Sequence, residues 1–338
     1  CTLLENQDVA HAGLAQCPSG GCARDSGADD NYLMCTHYCE WLIFYRGAVR
    51  IAANMEATDR RLLQLGHSPD PDDAFMHYAL AADKLDVGEL EFEHKLEDIE
   101  TLNKRAVHGE YEITAVSIHG YAFVADKYCL LNHGASMGEG YGPRIVAREE
   151  MKIEDLQKGK GKRIAIPGEW TSAHLATQMY IGEYDYGLVE FDQIPDAVER
   201  GDYDAGVLIH EGQLTFQDQG LVLLRDLGEW WQTENDGLPL PLGGNTVRRD
   251  LGDLIPRVSQ LLQDSIRYGL ENRVEAVKYA LQWGRDLSVE QADEFIGMYV
   301  NERTLDYGDD GRLAVKLFLE KAHKMGIIPE MPPLDFQR

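Results

Sequence analysis

The chain has 338 residues, with 58 Asp and Glu against 32 Lys and Arg, a formal net charge of −26 at pH 7 and 44% hydrophobic residues. Nucleic acid and anionic bilayers are held by clustered Lys and Arg that displace counterions, so this balance argues against both as partners. No apolar run approaches the roughly 20 residues of a membrane span, and no basic start with an apolar stretch marks a secretory leader, so a cytoplasmic protein is expected.

The first sixty residues stand apart from the rest. Five of the six cysteines (Cys1, Cys17, Cys22, Cys35 and Cys39) precede residue 40, and the first lysine is Lys84. Cys17-x4-Cys22-x12-Cys35-x3-Cys39 has the count of a four-thiolate zinc site, with spacings looser than the usual paired knuckle. A disulfide cluster is disfavoured without an export signal. Residues 1–60 therefore read as an extension, disordered or non-native upstream sequence, with Met55 as a sensible native start, and no metal is expected in the protein.

From residue 61 strand and helix patterns alternate. An apolar run at 62–66 predicts a strand, and Ser68-Pro69-Asp70-Pro71-Asp72-Asp73 ends it and starts a helix over 74–85. Leu90, Phe92, His94 and Leu96 alternate as in a half-buried strand; Asp98 then caps a helix carrying Ile99, Leu102 and Ala106, with Gly109 as its stop. Strands follow at 113–118 and 128–131. A second series reads strand 163–166, helix 171–181, strand 188–191, helix 194–200 and strands 205–209 and 221–224. After Asp250 the pattern is helical, with Leu254, Val258, Leu261, Leu262, Ile266 and Leu270 on one face. Two such series predict an α/β fold of two lobes around a central cleft, lobe 1 from 61–147 and 247–338 and lobe 2 from 148–246.

Glycine-rich segments do not support a nucleotide. Gly138-x-Gly140-x-Gly142 runs into Pro143 and a strand-like 145–147, whereas a dinucleotide fingerprint opens a helix. Gly159-Lys160-Gly161-Lys162 lacks the phosphate-loop order and precedes a strand. No serine-hydrolase elbow or His-Glu-x-x-His helix occurs. What remains are polar groups at strand ends: Ser117, Thr171 with Ser172, and His210 with Glu211. Thr171 and Ser172 open a helix, where they serve either as ordinary caps or as an anion site built on unpaired N–H groups. His210 follows the apolar strand 206–209, a place suited to moving protons near neutral pH and equally open to a structural imidazole. Asp226 and Glu229 are the carboxylates available to orient it.

Several motifs then occur in a telling order: Ser68-Pro69 with Asp73-Ala74-Phe75, Asp98-Ile99-Glu100-Thr101-Leu102-Asn103, Val116-Ser117, Gly140-Tyr141-Gly142-Pro143 and Ile166-Pro167-Gly168. Asp204-Ala205-Gly206 through His210-Glu211, Asp226-Leu227-Gly228-Glu229-Trp230-Trp231 and Gly237-Leu238-Pro239-Leu240-Pro241-Leu242-Gly243 complete the series. Over residues 62 to about 335 they resemble the 1,4-dihydroxy-6-naphthoate synthase family of the futalosine menaquinone pathway. The resemblance implies a type II periplasmic-binding-protein-like fold and a cytoplasmic lyase without metal or organic cofactor. That lyase opens cyclic dehypoxanthinylfutalosine, an anionic small molecule, and releases a three-carbon sugar fragment. It implies His210 as the proton acceptor and the segments Ala115-Val116-Ser117 and Thr171-Ser172 as substrate contacts. Chorismate dehydratase of the same pathway and a solute-binding protein of the same fold are the alternatives. Against the family pattern, Ala115 replaces a lysine, Gln213 replaces an arginine, and Asp70, Asp72 and Ala74 replace Cys, Asn and Thr.

Overall fold

A computed structural model describes residues 60–284 and 287–337; the cysteine pattern 17–39 and Met55 lie outside them. Strand β1 (Arg61–His67) buries Leu63 and Leu65 completely and leads into two short helices, α1 (Pro71–Met76) and α2 (Tyr78–Ala81). The single helix expected over 74–85 is broken at His77, whose backbone leaves the helical region at φ −98° and ψ 4°. Strand β2 (Leu90–Leu96) runs parallel to β1, and α3 (Ile99–His108) returns to β3 (Ile113–Ser117). Asp98 caps α3 by accepting the N–H groups of Glu100 and Thr101, and Gly109 ends it at φ +68°, the left-handed conformation that glycine takes at no steric cost. The short helix α4 (Ile118–Tyr121) and strands β4 (Tyr128–Leu130), β5 (Ser136–Gly138) and β6 (Arg144–Ala147) follow.

Next come β7 (Arg163–Ile166), α5 (Ser172–Ile181), β8 (Asp185–Leu188), α6 (Ile194–Arg200) and β9 (Ala205–Leu208). They are followed by α7 (Gly212–Thr215), β10 (Val222–Asp226), α8 (Leu227–Glu234) and β11 (Leu240–Arg248). Residues 255–324 supply the last helices: α9 (Ile255–Glu271), α10 (Arg273–Ala280), α11 (Val289–Tyr299), α12 (Glu302–Leu305) and α13 (Gly308–Lys324). The face of α9 carrying Val258, Leu261, Leu262 and Ile266 is buried, as its 3.6-residue spacing predicts. Among the described residues no helix is long and apolar enough to cross a membrane.

Two sheets result. The first has the order β2-β1-β3-β11-β4, with β5 also on β11; the second has the order β10-β6-β9-β7-β8. In each, the βα units give parallel neighbours, while β11 and β6 enter antiparallel. The chain crosses to the second sheet between β5 and β6 and returns through α8 to β11, so residues 144–147 pair in the second sheet and 240–246 in the first. The crossings touch backbone to backbone: a Cβ on Gly228 would meet the Tyr141 carbonyl oxygen at 1.9 Å.

Beneath the β1–α1 turn His67 and His77 lie buried, ring centroids 4.7 Å apart, with His94 of β2 5.2 Å from His67. The Ser68 carbonyl only accepts, so His67 donates from Nδ1 to it (3.1 Å) and presents a bare Nε2 to the Nδ1–H of His94 (3.0 Å). Burial, then the neighbouring His94, lowers the His67 pKa to about 3; burial lowers His77 and His94 as well, and His133 to about 4.

Candidate active site

A cavity of about 120 Å³, open to solvent, lies between the two sheets. From the first sheet it receives Ala115 and Ser117 of β3, while Val116 between them is fully buried away from it, because successive strand residues face opposite sides. Ser117 is held twice by Asn103 of α3: its N–H donates to Asn103 Oδ1 (2.9 Å), and its Oγ accepts from Asn103 Nδ2 (3.1 Å). In that second bond the Ser117 hydroxyl is the acceptor, so its own proton is not used there. Strand β11 adds Gly243 opposite Ser117 and Asn245 opposite Ala115.

From the second lobe comes the start of α5. The Thr171 hydroxyl donates to the Gly168 carbonyl (2.8 Å) and accepts from the His174 N–H (3.1 Å), so it is a helix cap. Ser172 Oγ donates to the Leu242 carbonyl (2.6 Å) and accepts from the His119 N–H (3.2 Å), binding α5 to the first lobe. Both hydroxyls are spent on backbone. What α5 offers a ligand is main chain: Ser172 and Ala173 line the cavity, and first-turn N–H groups have no intrahelical acceptor.

His210 is not among the lining residues, although Ile209 before it and Gln213 after it are. Its ring is 4% exposed and meets the Phe191 ring edge-on at 5.4 Å. Gly212 N–H donates to His210 Nδ1 (2.9 Å), which leaves the proton of the neutral ring on Nε2. Neither carboxylate expected to orient it does so. Asp226 accepts from the N–H groups of Gly228 (2.9 Å) and Glu229 (3.2 Å) as the cap of α8 and pairs with Arg144 (3.2 Å), while Glu229 is exposed. Arg144 also donates to the Gln213 carbonyl, so this guanidinium is engaged in the wall.

The loop after β1 contributes Ser68, Asp70, Asp72 and Asp73, and no lining residue is Lys, Arg or His. Asp73 accepts the Ser68 N–H (2.7 Å), and Ser68 Oγ donates to Asp70 (2.6 Å). Burial, then the carboxylates of Asp73 and Asp70, holds the Asp72 pKa well above the usual range; burial raises Asp73 as well. Opposite, Tyr299 of α11 donates to Gln213 Oε1 (2.9 Å), which turns the Gln213 Nε2 amide away from that bond. Gln213 Nε2 and Asn245 Nδ2 are buried cavity-lining donors without a protein acceptor. Tyr299 lies 131 residues beyond Gly168 in sequence and has no local signal; Asn245 follows a Gly-Gly pair that reads as a turn. Among the described residues no group of three or more His, Cys, Asp or Glu is arranged for a metal.

Residues 63–324 match the family model described as menaquinone biosynthesis. The chain is 38% identical over 271 residues to the 1,4-dihydroxy-6-naphthoate synthase of Thermus thermophilus, covering 80% of this chain and 97% of that one. It is 33% identical over 278 residues to the enzyme of the same name from Streptomyces coelicolor, covering 80% and 96%. A crystal structure of protein AF1704 from Archaeoglobus fulgidus superposes with a TM-score of 0.74 at 43% identity, covering 79% of this chain and 98% of that one. The alkanesulfonate-binding protein SsuA from Xanthomonas axonopodis pv. citri, bound to MOPS, shares the fold alone, with a TM-score of 0.59 at 14% identity over 81% and 96%. The periplasmic-binding-protein-like fold expected from the motifs is therefore the fold of this chain, which belongs to the menaquinone-biosynthesis family.

Proposed function

We propose that the cavity carries out the step named by its relatives, forming 1,4-dihydroxy-6-naphthoate as a carbon–carbon lyase that opens cyclic dehypoxanthinylfutalosine. The observation that supports this most is the meeting of Ser117, the α5 N-terminus and the His210 loop at one interlobe cavity. The carboxylate of the substrate docks on the α5 N–H groups, where the helix dipole favours an anion and no lysine is needed. His210 is the general base. Its lone pair is on Nδ1, so turnover requires the ring to exchange the Gly212 N–H for a substrate hydroxyl. Removing that proton lets the oxygen form the carbonyl of the departing three-carbon fragment. The electrons of the broken C–C bond pass into the remaining bicycle, whose aromatisation draws the reaction forward.

Chorismate, with two carboxylates, is a poorer match to a cavity lined by three aspartates and no cation. Incubation of the full chain with cyclic dehypoxanthinylfutalosine and, separately, chorismate, followed by mass spectrometry, tests the reading. Formation of the naphthoate from the first supports it; dehydration of chorismate without naphthoate formation refutes it.

A further inference from the structure

The corner of the cavity formed by Asp72, Tyr299 and Gln213 has a polarity that the α5 end lacks. Asp72 brings an acceptor, and Gln213 Nε2, on a side chain with 0% exposure, brings a donor with no protein partner. Tyr299 links them: its hydroxyl donates to Gln213 Oε1, and the Asp72 carboxylate lies close enough to add to the rise that burial imposes on the tyrosine pKa. Asn245 Nδ2, also buried and unpartnered, adds a second donor along β11. A carboxylate entering this corner meets Asp70, Asp72 and Asp73 and no cation to hold it. A hydroxyl suits it, because one O–H donates to a carboxylate while its oxygen accepts from an amide N–H. Resting on the function proposed above, we infer that Asp72 is a specificity-determining residue. It reads the hydroxyl-bearing end of the substrate together with the Gln213 amide, and thereby orients the carboxylate toward α5.

The product for which the relatives are named supplies the probe, since 1,4-dihydroxy-6-naphthoate carries hydroxyls on one ring and the carboxylate on the other. The full chain and its Asp72→Ala and Asp72→Asn variants are titrated anaerobically with this compound and with 2-naphthoate, which lacks both hydroxyls. Turnover of cyclic dehypoxanthinylfutalosine by the unsubstituted chain is followed in parallel. A hydrogen bond whose absence leaves polar groups of the cavity wall unpaired predicts that the unsubstituted chain prefers the dihydroxy compound by about tenfold or more. Asp72→Ala should bring the two affinities within about twofold of each other while leaving the Kd of 2-naphthoate unchanged, which also reports an intact fold. Asp72→Asn, still an acceptor, should keep part of the preference. A preference that survives Asp72→Ala, or an equal loss for both ligands, overturns the inference even where the enzyme turns over. Absent turnover with the Asp72-dependent preference intact overturns the reaction instead, and failure of the unsubstituted chain to bind either ligand overturns both.

Discussion

The loop after β1 brings three carboxylates to the cavity, whereas the wall from the second lobe brings N–H groups at α5 and the Gln213 amide. The first wall is also the more buried one electrostatically. The carboxyls of Asp72 and Asp73 are pushed up in pKa and the underlying imidazoles of His67 and His77 pushed down, all mainly by burial, so each of these groups is drawn toward its neutral form. The second wall uses neutral dipoles from the start. On the function proposed above, the difference teaches that a site in a chain of net charge −26 can favour one end of an anion without a cation, by fixing backbone N–H groups where the ligand must approach.

The sharpest break in this comparison is His210, on the second lobe. His210→Asn cannot take up a proton near neutral pH, so turnover should fall about 10²-fold or more, with ligand affinity and melting temperature nearly unchanged. Normal turnover with a lowered melting temperature would make His210 a packing residue. Gly228→Ala tests the crossing rather than either wall. Its Cβ would strike the Tyr141 carbonyl backbone, and a loss of about 3 kcal/mol in urea unfolding is expected, the upper range for overpacking. A loss below about 0.5 kcal/mol would show that the crossings yield easily.

Acid should act on the first wall. The unfolded chain protonates histidine near pH 6.5, while folded His67 resists until about 3. The stability these rings confer is therefore present above pH 6.5 and lost as pH falls below it. The raised carboxyls of Asp72 and Asp73 act the other way, their contribution lost as pH rises from the ordinary carboxylate range. Glu100 and Asp226 are raised as well, but the six lowered imidazoles (His67, His77, His94, His119, His133 and His174) outnumber these four carboxyls, so the melting temperature should drop between pH 7.5 and 5.5. His77, whose two ring nitrogens have no partner, can be replaced by Leu with little cost, and His77→Leu should flatten that drop. An unchanged slope would exclude His77 as a source of it. The smallest effect is global: screening the self-repulsion of a −26 chain by raising KCl from 0.1 to 1 M should raise the melting temperature of both the parent and His77→Leu alike.

Elements whose signal is local were legible. Strands 90–96 and 163–166, helix 194–200 and the Asp98 cap with its Gly109 stop occupy the positions their patterns predict. Strand β11 was not, because Pro241, Gly243 and Gly244 read as a turn; pairing with β3 and β5 overrides that local preference. The expected strand at 188–191 lies at Asp185–Leu188 instead, set by its register on β7. At the site, Ala115, Ser117, Thr171 and Ser172 do reach the cavity, but the roles differ from side-chain contact: Thr171 and Ser172 spend their hydroxyls on backbone. Tyr299 and Asn245 were invisible, since what makes them part of the site is tertiary proximity alone.

The Tyr299 bond to Gln213 joins a helix of the C-terminal series to the lobe that holds the cavity's second wall. Parting the lobes at this corner means breaking it, and in a buried setting a neutral hydrogen bond of that kind contributes about 1 kcal/mol. It is therefore a brake on escape, and its strength enters the residence time of whatever is enclosed. Tyr299→Phe should release product several-fold faster in a stopped-flow displacement measurement, without the change in turnover of the bound substrate that loss of the base would bring.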